Sequence, residues 1–261
     1  PKKKLTRAEK IAAAEAAKKA EQEADGASQA ALLGSVDLSK HIDVNTALPG
    51  LKLVHSDPPV FTIDNFFPPD VCDRYREVGP GGEDDGASVQ VASATFGGAF
   101  TESNRRSTTW YLKYECAKEL VEGALKLLPG VGIRNCEEPQ IVRYEMGDFF
   151  AWHEDKVPPE QCENGGQRVA TLLVYLNDVP ESGGGATTFK DIPVKVVPKK
   201  GMALLFFPAF KDGTPDDRTV HAGAPAFDIK WIAQMWIHEN TYTPVIPPGN
   251  SHEPLEALLH K

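Results

Sequence analysis

Long apolar runs are missing. Nowhere does the sequence approach the roughly 18 to 20 apolar residues of a membrane-spanning helix, and no signal-peptide pattern opens it, so no membrane span is expected. Excess positive charge is missing as well. The 261 residues carry a formal net charge of -9, which disfavours a nucleic-acid partner because phosphate backbones are met mainly with Lys and Arg. Cysteine is scarce: Cys72, Cys116, Cys136 and Cys162 stand far apart without a C-x-x-C pair. That spacing argues against structural zinc and leaves reduced, half-buried thiols as the main reading, with one or two disulfides as the other. Internal repeats are absent. The chain opens on Pro1 rather than Met, so a removed targeting segment, and with it the compartment, stays open.

What is present divides into three stretches. Residues 1–57 read as an extension. Its first 24 residues hold seven Lys or Arg against four Glu, and Pro1-Lys2-Lys3-Lys4 reads as a solvated basic terminus. Residues 4–32 are rich in Ala, Lys and Glu, with helical propensity but few large apolar side chains to bury. Such a helix is solvated or packs on a partner protein; Asp25-Gly26 is expected to break it, and residues 35–57 to form irregular connector. Residues 58–242 have the texture of a globular domain, and a hydrophobic content of 41% supplies an ample core. VFTIDNFF suggests a strand, Pro68-Pro69-Asp70 the start of a helix, and AKELVEGALKLL a second helix. The short β-runs RRSTTWYL, QIVRYEM, FFAWHED, VATLLVYLND, VKVVP, MALLFFP and KWIAQMWIH follow, separated by Gly, Pro and Asp turns, a pattern that suggests a sandwich or barrel. Residues 243–261, with Pro244, Pro247 and Pro248, read as a surface wrap ending in a short helix, a second candidate for partner contact.

Three signals carry chemistry. In an extended strand side chains i and i+2 share a face, so His153 and Asp155 project together while Glu154 points away. His221, in RTVHAGAP, follows a long Gly/Pro/Asp loop and begins a strand. Two histidines and one carboxylate occupy one face of an octahedron and leave three sites open, as in non-haem Fe(II) oxygenases. Two open sites can chelate a 2-oxo acid and the third can take dioxygen. Lys230 begins the strand KWIAQMWIH, where alternation puts Lys230, Ile232, Gln234, Trp236 and His238 on one face. A lysine in so apolar a run is costly to bury unless it meets an anion, and the distal carboxylate of 2-oxoglutarate would be one.

In this order, H-x-D, long gap, H, short gap, K-W, the sequence resembles the prolyl 4-hydroxylase branch of the 2-oxoglutarate dioxygenases. The likeness runs from about Pro59 to Glu239 through PPVFTIDNFFPPDVC, NRRSTTWYL, QIVRYEMGDFFAWHED, GGQRVATLLVYLNDVPESGGGATTF, PKKGMALLFF, HAGAP and KWIAQMWIHE. It implies a mainly β (α+β) fold, a double-stranded β-helix (jelly roll) with flanking helices and the N-terminal helical extension. It implies Fe(II), 2-oxoglutarate and O2, with ascorbate as an accessory, and hydroxylation of a peptide or protein rich in proline with release of succinate and CO2. Iron would be held by His153, Asp155 and His221. Tyr144, Thr171, Lys230 and Trp236 match cofactor-side positions, and Arg105, Ser107, Glu137, Arg168 and His238 match polar positions around the peptide groove. Residues 80–104 and Lys156–Gln167 resemble the family's mobile flaps. By the same analogy, a secretory or organellar lumen is the compartment.

The chain departs from the family's pattern in three places. Lys230 lies nine residues after His221 where ten is usual, Phe150 stands where the family commonly has a tyrosine, and Trp152 replaces the usual proline. The metal set is complete, whereas substrate identity is left open: another peptide residue, a small molecule, or a non-catalytic subunit of a larger assembly are the rival readings.

Overall fold

The computed structural model describes residues 26–82, 86–91, 104–245 and 250–259, together with Arg7, Ala13 and Ala16. The basic terminus at Pro1–Lys4, most of the flap at 80–104, and Pro247 and Pro248 lie outside the described residues. The chain divides into two units, Pro1–Val36 and Asp37–Lys261.

In the first unit, residues 26–35 are helical, as are the isolated positions Arg7, Ala13 and Ala16. Gly26 is the first described residue of this helix, and Asp25, the other half of the expected break, lies outside the described residues.

The second unit begins well before residue 58. Strand β1 (Leu51–Ser56) occupies the end of the stretch read as connector and pairs antiparallel with β2 (Pro59–Ile63). The physical reason is alternation: Leu51 and Leu53 are buried while Lys52 between them is only partly so, which is the signature of a half-buried strand. Helix α1 (Pro69–Gly81) follows Pro68, with Pro69 at its first position where a missing N–H costs nothing. Strand β3 (Ser88–Val91) falls within the stretch read as a flap loop and pairs with β5 (Thr108–Leu112), the short β4 (Arg105–Arg106) lying between them in sequence. Helix α2 (Lys118–Leu127) buries Leu120, Val121, Ala124 and Leu127 on one face.

The remaining strands are β6 (Gln140–Tyr144), β7 (Phe149–His153), β8 (Arg168–Tyr175), β9 (Thr187–Phe189), β10 (Lys195–Val196), β11 (Ala203–Phe206), β12 (His221–Gly223) and β13 (Lys230–His238), before the closing helix α3 (Glu253–Leu259). They form an eight-stranded sheet, β1-β2-β11-β8-β13-β6-β5-β3, and a five-stranded sheet, β10-β9-β12-β7-β4. Every strand pairing among the described residues is antiparallel. Two antiparallel sheets of this kind make the double-stranded β-helix, or jelly roll.

Strands β8 and β13 are the centre of the large sheet and are almost wholly buried, which explains their near-continuous apolar sequences. A core between the sheets joins Tyr144, Leu173, Tyr175 and Ile232 of the large sheet to Phe150 and Phe189 of the small one. The four cysteines are free thiols, Cys72 and Cys136 buried and Cys116 and Cys162 partly so.

Candidate functional site

The two sheets face each other over a cleft of about 390 Å³ including its mouth. The small sheet contributes His153 and Phe150 from β7, His221 and Gly223 from β12, and Thr187 from β9. The large sheet contributes Tyr144 from β6, Thr171 and Leu173 from β8, and Lys230, Ile232, Gln234 and Trp236 from β13.

His153 and His221 are direct cross-strand partners in the antiparallel pair of β7 and β12, which is how residues far apart in sequence reach one point. Asp155 arrives differently from the sequence expectation. Strand β7 ends at His153, so the carboxylate comes from the irregular segment just beyond it, although the two side chains still converge. His153 Nε2 lies 3.5 Å from Asp155 Oδ1, and His221 Nε2 lies 3.7 Å from Asp155 Oδ2. One ligand atom from each of the three residues lies within 4.8 Å of the others.

The backbone sets the tautomers. His153 Nδ1 faces the carbonyl of Ala151 at 2.8 Å, and His221 Nδ1 faces the carbonyl of Thr219 at 3.1 Å. A carbonyl only accepts, so each Nδ1 carries a proton and Nε2 is the nitrogen that each ring can offer a metal. Burial, then the neighbouring His221, pushes His153 down to about 3, keeping it neutral. For Asp155, burial alone would raise the pKa, but His221, His153, the Thr171 hydroxyl and Arg168 together hold it below its usual value. Two neutral imidazoles and one carboxylate make a donor set of net charge -1 in a buried place, which suits a divalent cation. The mixture of two nitrogens and one oxygen on one side fits ferrous iron with open positions, not a closed structural zinc.

Thr171 donates from Oγ1 to Asp155 Oδ2 at 2.7 Å, so its proton is committed to the carboxylate even though the residue lines the cleft. Partners of this kind orient a metal ligand, and their loss typically costs metal affinity by about 10- to 100-fold. Thr171→Val keeps the shape and deletes the donor. It is expected to raise the dissociation constant for Fe(II) within that range in an anaerobic metal titration.

At the other end of the cleft Lys230 is 2% exposed. Its Nζ stands 5.0 Å from the ring centroid of Tyr144, its cross-strand partner, and 5.7 Å from that of Tyr175. No carboxylate pairs with it among the described residues, and burial pushes its pKa down to about 7. A lysine buried in a cleft without a counter-charge carries a desolvation cost that a bound anion would offset. Gly183–Gly185 reads in sequence as only a turn, yet Gly185 has φ +65 and a Cβ there would lie 3.2 Å from Lys230 Cδ, so its lack of a side chain leaves room for the lysine.

The positions matched to a peptide groove separate into two groups. Glu137 takes Arg168 Nε and NH2 at 2.7 Å each, and His238 Nε2 lies 2.9 Å from the same carboxylate. Burial would raise the Glu137 pKa, but Arg168 and His238 outweigh it and hold it low. Arg168 lies 3.8 Å from the ring centroid of Trp236, whose buried Nε1 has no hydrogen-bond partner among the described residues. Arg105 is elsewhere. It donates to Ser107 Oγ and Thr109 Oγ1 at 3.0 Å each and lies 4.7 Å over Phe150, whose ring stacks on His153. Arg105 and Ser107 thus do not line the cleft; they back the wall that carries His153.

The segment Lys156–Gln167, read as a flap, is tied down. The Gln167 amide bonds both the N–H and the carbonyl of Val157, closing the loop on itself. Asn164 and Thr243 exchange two further hydrogen bonds, at 2.9 and 2.8 Å.

Comparison with known proteins agrees with this geometry. Residues 139–238 match the model of the 2OG-Fe(II) oxygenase superfamily, and that stretch contains every strand that supplies the cleft. This part of the chain is similar to the 2OG-Fe(II) oxygenases, a class that implies Fe(II), 2-oxoglutarate and O2. The chain is 36% identical over 118 residues to prolyl 4-hydroxylase subunit alpha-1 of Homo sapiens, an alignment covering 43% of this chain and 22% of that one. It is 34% identical over 143 residues to probable prolyl 4-hydroxylase 4 of Arabidopsis thaliana, covering 45% and 46%. Among solved structures, a viral collagen prolyl hydroxylase of Paramecium Bursaria Chlorella virus-1 in its 2OG complex superposes with a TM-score of 0.53 at 26% identity, covering 68% of this chain and 94% of that one. Within that class the relatives it is similar to are prolyl 4-hydroxylases. The chain spans only about a quarter of the length of the vertebrate alpha-1 relatives it matches.

Proposed function

We propose that this protein is an Fe(II)- and 2-oxoglutarate-dependent dioxygenase that hydroxylates prolyl residues in a peptide or protein, releasing succinate and CO2. The observation that carries the reading is the pairing, in one cleft, of a two-histidine, one-carboxylate donor set with a buried lysine that has no anion of its own among the described residues. His153, Asp155 and His221 would hold the iron, and ascorbate would keep it ferrous. Iron with 2-oxoglutarate and dioxygen supplies the oxidising power when bound; the protein supplies position and dryness.

Each residue then has a task. Lys230 neutralises the distal carboxylate of 2-oxoglutarate, and the phenol of Tyr144, its cross-strand neighbour, is placed to share that duty. Thr171 fixes the orientation of Asp155. Apolar Leu173, Ile232 and Phe150 exclude water from the reacting end, which protects a reactive oxidant from side reactions. Phe150 has no hydroxyl to offer a substrate, so this wall selects by shape and stacking rather than by a hydrogen bond. A proline-rich segment suits such a cleft because a polyproline II strand is already ordered and loses little entropy on binding. The N-terminal helix and the C-terminal segment remain the surfaces through which a protein partner would attach.

The test is succinate release from 2-oxoglutarate with Fe(II), ascorbate and a panel of proline-rich peptides, with the peptides weighed for an added oxygen. Succinate release and hydroxyproline that depend on each other are the expected result. Succinate without any hydroxylated peptide would keep the oxygenase class and remove the prolyl substrate. Neither product, with no Fe(II)-dependent binding of 2-oxoglutarate, would sink the reading.

A further inference from the structure

The chain that leaves β13 turns back over the cleft's flank at Tyr242. This tyrosine is 7% exposed, and its ring stacks on His238 with centroids 4.7 Å apart and 26° between planes. Its hydroxyl donates to Glu138 Oε2 at 2.8 Å, and its backbone N–H donates to the Arg134 carbonyl at 2.7 Å. Glu138, 1% exposed, also accepts the N–H of Val245. The tyrosine is thus fixed by its backbone, its hydroxyl and its ring face.

From His238 the contacts run inward. His238 lies 2.9 Å from Glu137, Glu137 grips Arg168 through two 2.7 Å bonds, and Arg168 covers Trp236 at 3.8 Å. Arg168 NH1 also donates to the Asp155 carbonyl at 3.3 Å. Bidentate ion pairs and stacked planes are directional, so this array has few ways to absorb a displacement at its outer end. Trp236 lines the cleft and its Nε1–H has no bond within the described residues, so the protein steers the ring through packing, chiefly against Arg168.

We propose that Tyr242 is a positioning residue for the cleft: by stacking on His238 it locks the His238–Glu137–Arg168 array and thereby holds Trp236 at the cleft wall. Tyr242 touches no reacting atom. Its effect reaches what the cleft binds through Trp236 and through Arg168, which also bonds the Asp155 carbonyl. The assignment rests on the functional reading above only for what occupies the cleft; the mechanical link does not depend on it.

Two readouts test the link. In the metal-free protein, the Trp236 indole N–H resonance, assigned with Trp236→Phe, is expected to shift or broaden in Tyr242→Leu and to keep its position in Tyr242→Phe, which retains the ring. In the assay with a hydroxylated peptide, Tyr242→Leu is expected to raise the peptide KM about tenfold, with kcat within about twofold, a size typical of couplings carried through packed networks. Tyr242→Phe should restore the KM. Should Tyr242→Leu fail to fold, Tyr242→Met, which keeps the volume without a flat ring, carries the same test. An unmoved indole resonance, or a peptide KM that Tyr242→Leu leaves unchanged, would overturn the proposal. If the wild-type protein hydroxylates no peptide, the functional reading fails while the resonance still decides the link.

Discussion

Replacing Asp155 or His153 by alanine is expected to abolish Fe(II) binding and, with it, 2-oxoglutarate turnover. Asp155 is the larger of the two effects because it is the only negative charge in the donor set. Without it two neutral imidazoles remain, and a dication would enter a buried site with no charge to compensate it. Loss of metal affinity should exceed the roughly 100-fold upper figure for losing an outer partner such as Thr171. Removing His153 leaves the charge but loses one corner of the coordinating face. Glu154→Ala is the internal control: its carboxylate points away from the cleft and pairs with Lys156 at 2.8 Å. Metal content after anaerobic loading, measured on folded variants, reads all three. Retention of stoichiometric iron by Asp155→Ala would place the metal elsewhere.

Lys230→Met is expected to act in opposite directions on ligand binding and on stability. Removing one partner of a buried charge pair costs about 2–5 kcal/mol, so the dissociation constant for 2-oxoglutarate should rise by about 30-fold or more. The ligand-free protein should become more stable. Burial lowers the folded pKa of Lys230 from 10.5 to about 7, a penalty on the charged form on the order of 5 kcal/mol. The folded state thus binds fewer protons than the unfolded state between pH 7 and 10.5. The penalty is fully present below pH 7 and is relieved as pH rises through that window, so ligand-free stability should climb there. In Lys230→Met this component of the pH dependence should vanish. The same linkage requires 2-oxoglutarate to bind with proton uptake above pH 7, measurable by calorimetry in buffers of different ionisation enthalpy. Unchanged dependence on 2-oxoglutarate in Lys230→Met would mean that the anchor lies elsewhere.

The site was legible in the sequence where local periodicity carries it. Strand alternation in KWIAQMWIH put Lys230, Ile232, Gln234 and Trp236 on one face, and all four line the cleft. His238 ends differently because the pairing of β13 with β8 shifts register between Ile237 and His238, and its ring turns to Glu137. What local pattern could not carry was long-range pairing. That Arg105 lies behind Phe150 and that Asn164 bonds Thr243 are both set by partners far along the chain. The fold shows the same division. Its strands followed from alternation, whereas β1 was hidden by its six residues and the polar stretch around it. Family likeness named Thr171 as a lining residue; only geometry gives its hydroxyl to Asp155.

The most direct test of the account is a calorimetric titration of 2-oxoglutarate into the anaerobic protein, with and without one equivalent of Fe(II). The account predicts one 2-oxoglutarate bound per chain when iron is present, and loss of that iron-dependent binding in both Asp155→Ala and Lys230→Met. Binding of equal strength without iron, or in the two variants, would contradict it.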